Sequence, residues 1–324
     1  MGDEKNFRSQ FYGKVGLREI EDKRAVEALL KEQPLDEKKF AHFCQRSVVP
    51  GAYRILVWKL LLRISPRYAE SQDYVQQQQT LMFEELFGTL KGVGNAYIAI
   101  MGNDINDHCL PDYYKGYQEA PVAEQYLVMW LIREGKLLYN SREQFKEKEC
   151  QHFLTIVKKI SCFFDNPVDI FLVCSSVYSL LLKNENNIAD AVQDAIGMLR
   201  KENDILHRHL LKLGLFNSSY LVSLCMSLFC DIFPETAIEK IMDKVIAGAF
   251  RVFAFVIFSL LMYFKQHLSS VSTVEGVKSA ISLLRKEEAE ILVNSALEQW
   301  LKIGMIKRQR CTCSELLWNS PYLH

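Results

Sequence analysis

The chain has 324 residues, 49% of them hydrophobic and 24% charged, which excludes wholesale disorder and leaves enough apolar surface for one large domain or two smaller ones. Its 39 basic and 39 acidic residues cancel, and no run of five or more like charges occurs, which argues against a nucleic-acid face or a polybasic membrane anchor. Gly (15) and Pro (8) are sparse beside averages of about 7% and 5%; few turn formers mean long elements, and the predicted fold class is all-α. In chain order, Asp3 to Lys39 reads as two amphipathic helices, the second started by Asp36. From Gln79 to Val93, residues Met82, Phe83, Leu86, Phe87, Leu90 and Val93 gather into an apolar stripe about 140° wide. Such a stripe can pack on a core along one edge and offer the other to a partner helix. Met82, Phe83, Leu86, Phe87 and Leu90 are therefore the candidate partner-binding residues. Residues 102–121, with Asn103, Asp104, Asn106, Asp107, Pro111 and Pro121, read as one long irregular connection, and the striped helix is expected to form a groove wall with it.

Further along, Ser141 with Gln144 and Ser272 with Glu275 have capping-box spacing. Phe153, Ile156, Ile160, Phe163 and Phe164 mark one apolar helix face. Asn166 caps a helix opened by Pro167, with Asp169 in its first turn. Asn184 to Asn187 is a short polar break, and Gly135, Gly214 and Gly304 stand where helices end in a left-handed residue. Between Val245 and Phe264 the single charge is Arg251, and the uncharged run from Val252 to Phe264 is too short to span a bilayer, so it reads as a core helix. The count comes to about a dozen helices and no strand.

Nine cysteines, with no C-x-x-C pair, and a polar opening MGDEKNFRSQ predict a soluble chain with free thiols in a reducing cytosol. Cys311 and Cys313 lack the further ligands that zinc requires. His207 and His209, two apart on a helix, point away from each other and read as a surface pair. Asp165 and Asp169 fit a helix cap better than an acid–base pair. No phosphate-binding, dinucleotide, nucleophile-elbow or zinc-protease motif is present. The residues predict no metal, no cofactor and no independent enzyme.

One constellation is more specific. Arg54-Ile-Leu-Val-Trp58-Lys-Leu-Leu61-Leu62 resembles the R-x-x-x-W-x-x-L-L opening of TBC (Tre-2/Bub2/Cdc16) domains, helical modules that typically accelerate GTP hydrolysis by Rab GTPases. Asp204-Ile-Leu-His-Arg-His209-Leu, then Phe229, Pro234 and Ile241-Met-Asp243, match the order of the later TBC motifs, and the apolar segment 249–264 falls where the family has a buried helix. The resemblance covers residues 50–265. It implies a single large multi-helix domain over 50–304, with an N-terminal helical extension over 1–49 packed on it and a tail over 305–324. Arg54, Trp58, Leu61, Leu62, Asp204, Pro234 and Asp243 are its structural motif residues.

Active TBC domains use an arginine finger in I-x-x-D-x-x-R, which neutralises charge on the transferring phosphoryl group, and a glutamine finger in a later Y-x-Q, which orients the attacking water. Met101-Gly-Asn-Asp104-Ile-Asn-Asp107 is the match to the first, and it places Asp107 where the arginine belongs. Tyr74-Val-Gln76 precedes that motif instead of coming after it, and Asp169 to Leu182 contains no glutamine. Leu224 and Met242 stand where active members usually have tryptophans. No catalytic residue is assigned.

The segments NFRSQFYGKVG and ALLKEQPLD extend the resemblance to the family member that is the third subunit of the tuberous sclerosis complex, bound to the coiled coil of hamartin. In that complex tuberin switches off the GTPase Rheb and restrains target-of-rapamycin signalling. The resemblance thus implies a non-catalytic cytoplasmic scaffold whose partners are hamartin and, through the complex, tuberin, with any recruitment to lysosome or endosome surfaces supplied by partners. It implies no nucleic-acid partner and no direct membrane insertion. The alternatives are an active Rab GTPase-activating protein, using Arg54 or another arginine, and a Rab effector without that activity.

Overall fold

Apolar residues recur every three or four positions, and the structure, a computed structural model describing residues 18–101, 121–138 and 141–304, turns that period into helices. Sixteen α-helices and no strand occur among the described residues. They are α1 (Arg18–Leu30), α2 (Glu37–Arg46), α3 (Gly51–Leu61), α4 (Gln72–Met101), α5 (Val122–Arg133), α6 (Ser141–Phe145), α7 (Lys148–Ile160) and α8 (Pro167–Lys183). The second half holds α9 (Glu185–Glu202), α10 (Asp204–Lys212), α11 (Tyr220–Met226), α12 (Glu235–Ile246), α13 (Val252–Tyr263), α14 (Lys265–Ser270), α15 (Val274–Ser282) and α16 (Lys286–Gln299).

α13 is apolar all round, and Val252, Phe253, Ala254, Phe255, Val256, Ile257, Leu260 and Leu261 are all buried. It packs mainly against α9 and α16, as expected of a helix with no polar face. No described helix is long and apolar enough to cross a membrane. In the other half α7 lies between α5 and α8, where Trp130, Phe153 and Tyr178 pack ring on ring at 5.0–5.7 Å. Burying rings of this size supplies about 2–3 kcal/mol each relative to exposure. A smaller core joins Val26, Phe40, Cys44, Val49, Val57 and Leu60 to Ala247. It runs across residue 50 without a break and fastens α1–α3 to the end of α12.

Local signals explain many boundaries. Asp36 accepts hydrogen bonds from the Lys38 and Lys39 amides, Asn166 accepts from Val168 with Pro167 beside it, and Gly135 and Gly214 take φ of 66° and 77°. Gln144 holds the incoming chain, accepting from the Leu138 amide and donating to the Lys136 carbonyl. The capping box expected from Ser272 and Glu275 is not formed. Thr273, not Ser272, caps α15 by accepting from the Gly276 amide, and Glu275 pairs with Lys278. Gly304 ends a π turn over Trp300–Gly304, whereas Gly248, shortly after α12, takes φ of 81°. The irregular connection expected over 102–121 lies outside the described residues up to 120. So do Asp3 to Leu17 of the first expected helix and the Cys311–Cys313 pair. Cys44, Cys150, Cys162, Cys174, Cys225 and Cys230 are free thiols.

Besides the exposed Arg63, two bulky apolar residues sit in the left-handed region: Leu228 at φ 53° and Phe229 at φ 56°. Each costs about 1–2 kcal/mol. Complete burial of both offsets that cost, with Phe229 stacked on Phe233 at 5.2 Å. A third tight point is Gly276, where an added Cβ would lie 2.5 Å from Val271 Cγ1. Val271 is stiff at χ1 and yields little, so Gly276→Ala is expected to destabilise the fold by about 1–3 kcal/mol. A lower urea midpoint at unchanged slope will register it.

Candidate functional site

The site grows from α3. Pro50 stands before its first turn, and the four-residue spacing of Arg54 and Trp58 sets both side chains on the face turned to α12. There Asp243 Oδ1 accepts from Trp58 Nε1 at 2.8 Å and from Arg54 Nε at 3.2 Å. Arg54 Nη1 donates to Glu239 at 2.6 Å, and Nη2 donates to the Val49 carbonyl at 2.8 Å. The guanidinium is thus spent on three acceptors, with its side chain 11% exposed. Next to it, Lys244 is buried and donates to the Cys44 and Ser47 carbonyls, each at 2.6 Å. Burial pushes the Asp243 carboxyl up to about 6, against the pull of Arg54 and Lys244, and its Oδ2 has no hydrogen-bond partner among the described residues.

The other motif residues support this anchor. Leu61 and Leu62 are half-buried at the end of α3 and pack on the core. Pro234 is buried before the first turn of α12. Asp204, half-exposed at the start of α10, pairs with Arg208 at 2.9 Å, while Asn203 caps that helix by accepting from Leu206. Lys59 reaches from α3 to Asp169 of α8 at 2.7 Å, so Asp169 is an inter-helix partner as well as a first-turn acid. The two histidines are not a surface pair. His207 is buried and stacks on Phe216 at 5.4 Å, while His209 Nε2 lies 2.9 Å from the Val271 carbonyl.

Of the residues expected at finger positions, Asp107 lies outside the described residues. Tyr74 and Gln76 stand near the start of α4, with Tyr74 66% exposed. The segment Asp169 to Leu182 lies in α8, and most of it is buried.

α4 carries the apolar stripe and is longer than the expected 79–93 segment. Phe83 is wedged edge-on between Tyr126 at 6.1 Å and Phe171 at 5.9 Å. Burial pushes the Tyr126 hydroxyl up to about 12, a sign of how apolar this junction is. Leu90 is completely buried. Both hold α4 to α5 and α8; Phe83 stays half-buried, whereas Leu90 is closed to a partner in this structure. Met82, Leu86 and Phe87 are half-buried, Phe87 stacking on Phe83 at 6.3 Å, while Leu81 on the outer face is 52% exposed. Along the stripe, then, Leu90 is in the core while Met82, Phe83, Leu86 and Phe87 are half-buried.

The residues that tie the anchor together across the chain (Glu239, Lys244 and Gln45, which donates to the Ala247 carbonyl at 2.6 Å) carried no sequence signal. They act as partners of groups about 200 positions away.

No family model matches the chain. Curated relatives do. Over 92% of its length it is 28% identical to TBC1 domain family member 7 of Danio rerio and 27% identical to that of Homo sapiens, covering 95% of each. The Ypt/Rab-GAP domain of Gyp1p superposes with a TM-score of 0.55 at 14% identity, over 88% of this chain and 99% of that domain. The Chlamydomonas flagellar RabGAP TBC domain gives 0.51 at 12%, over 90% and 93%. The R-x-x-x-W face and its aspartate are built as one anchor, and the chain shares the all-α fold of these Rab-GAP domains and is similar along nearly its whole length to TBC1 domain family member 7.

Proposed function

We propose that this protein is a non-catalytic TBC-domain subunit that binds the coiled coil of hamartin and stabilises the hamartin–tuberin complex, supporting the action of tuberin on Rheb. The observation that carries the reading is the commitment of Arg54. The motif arginine is consumed by Asp243, Glu239 and the Val49 carbonyl, so it is not free to reach a γ-phosphate. In the sequence the arginine-finger position falls on Asp107, and no glutamine lies between Asp169 and Leu182. A TBC fold without fingers retains a docking surface but lacks the groups that neutralise the transferring phosphoryl and orient water. Similarity to TBC1 domain family member 7 along nearly the whole chain supports the same role, and the outer edge of α4 is the surface proposed for the partner.

Single-turnover GTP hydrolysis by Rab GTPases tests the catalytic half. The purified chain is expected to leave the rate within about 10²-fold of the GTPase alone, and Arg54→Ala is expected to leave it unchanged while lowering thermal stability. A finger role for Arg54 predicts instead a loss of about 10³–10⁵ in rate. Affinity capture from the protein's own cells tests the other half: stoichiometric hamartin and tuberin are expected. A single GTP-bound Rab captured without hamartin would overturn the proposal in favour of an activator or effector.

A further inference from the structure

Away from α4, helices α1 and α2 leave between them a groove of about 530 Å³. Ala25 and Leu29 line it from α1, and Phe43 completes an apolar floor from α2. Leu29 and Phe43 are half-buried against the smaller core. Phe40 and Cys44 of α2 turn inward, which leaves Lys38, His42 and Arg46, four residues apart, on the opposite side, where all three are exposed and line the groove. Helical spacing sets them on one face in a row about 12 Å long.

The charge of this groove has one sign. Among the described residues no acidic side chain lines it, in a chain whose charges otherwise cancel. The acids nearest in sequence already have partners. Asp36 caps the Lys38 and Lys39 amides, Glu37 pairs with Arg63 at 3.4 Å, and Glu32 takes Lys39 at 2.6 Å. Lys38 and Arg46 have no ion-pair partner among the described residues, so positive charge stands uncompensated beside the apolar floor. An anionic membrane surface is met by clusters of about four to eight Lys and Arg, more than this face offers. A row at four-residue spacing is matched instead by carboxylates at the same spacing on a helix laid alongside it, whose neighbouring apolar positions then reach the floor. We propose that the α1–α2 groove docks an amphipathic acidic helix of a partner protein, with Lys38, His42 and Arg46 facing its row of carboxylates and Leu29 and Phe43 receiving its apolar side chains.

The test uses the full chain and a fluorescein-labelled helical peptide with Glu at i, i+4 and i+8 and Leu at i+1 and i+5. Fluorescence anisotropy is expected to show saturable binding. Lys38→Glu with Arg46→Glu is expected to weaken it at least about tenfold, with the melting temperature unchanged because both side chains are exposed. The same peptide with Gln in place of Glu, or with Ser in place of Leu, is expected to lose affinity for the parent chain by a similar factor. Phosphatidylserine vesicles are expected to leave the chain in solution. Absence of saturable binding overturns the proposal, as does equal affinity of the Glu and Gln peptides or of the parent and the double variant. So does sedimentation with the vesicles that the double variant abolishes, which would assign the face to a membrane.

Discussion

Replacing Asp243 with alanine is expected to cost about 3–5 kcal/mol, the range for removing one partner of a buried ion pair. The carboxylate is 1% exposed and is the acceptor for both Trp58 and Arg54. Its removal strands the indole N–H and leaves the Arg54 Nε without its acceptor, in a place water does not reach. Asp243→Asn should be far milder, because the amide oxygen can still accept from both. The two variants also separate on pH. The folded-state value of about 6 lies above the ordinary 3.8, so the folded chain binds this proton more tightly than the unfolded chain does. The stabilisation from that proton is present in full below about pH 4 and is lost as pH rises through about 6, a span of about 3 kcal/mol. The parent should therefore lose stability relative to Asp243→Asn between those limits. Chemical denaturation of parent and variant at pH 4, 5, 6 and 7 gives the difference directly, and a flat difference would show that the carboxyl titrates alike in both states.

The second large effect belongs to α4. Leu86→Asp with Phe87→Asp is expected to weaken hamartin capture by at least about 30-fold, the loss of a hot-spot contact, while helical content and melting temperature stay close to the parent. Both residues are half-buried at the edge of the stripe, so each new carboxylate retains access to water. Phe83→Asp is expected to behave differently. It would put a carboxylate between the rings of Tyr126 and Phe171, and a lower melting temperature is expected to accompany any loss of capture. Titration calorimetry on the hamartin coiled coil, paired with thermal melts, distinguishes the two. Unchanged affinity in the folded double variant would remove this edge of α4 from the interface.

Much of the architecture is legible in one dimension. The period of Phe153, Ile156 and Ile160, the Asn166–Pro167 start and the left-handed Gly135 and Gly214 are local signals, and α5, α7, α8 and α10 begin or end where those signals stand. Gln144 and Thr273 escape such reading because a cap is decided by which acceptor reaches an amide first: Ser272 and Thr273 stand side by side, and the groups Gln144 holds lie six and eight positions before it. His207 escapes it for a related reason: helical spacing gives the direction of a side chain but not what waits there, here the ring of Phe216. In the stripe on α4 the spacing identifies the apolar positions, but whether Leu90 or Leu86 faces the core depends on where α5 and α8 lie.

The chain's own order of residues thus determined the helical class and the four-residue spacing that sets Arg54 and Trp58 on one helix face, since each depends on side chains close in sequence or on a pattern readable along the chain. Tertiary structure decided which of those residues serve the core. Arg54 could be read as a finger or as a strut until Asp243 and Glu239, 189 and 185 positions away, closed on its guanidinium. Contacts of that separation arise only when the whole chain has collapsed, because desolvation makes an unpaired charge costly and so selects the partner.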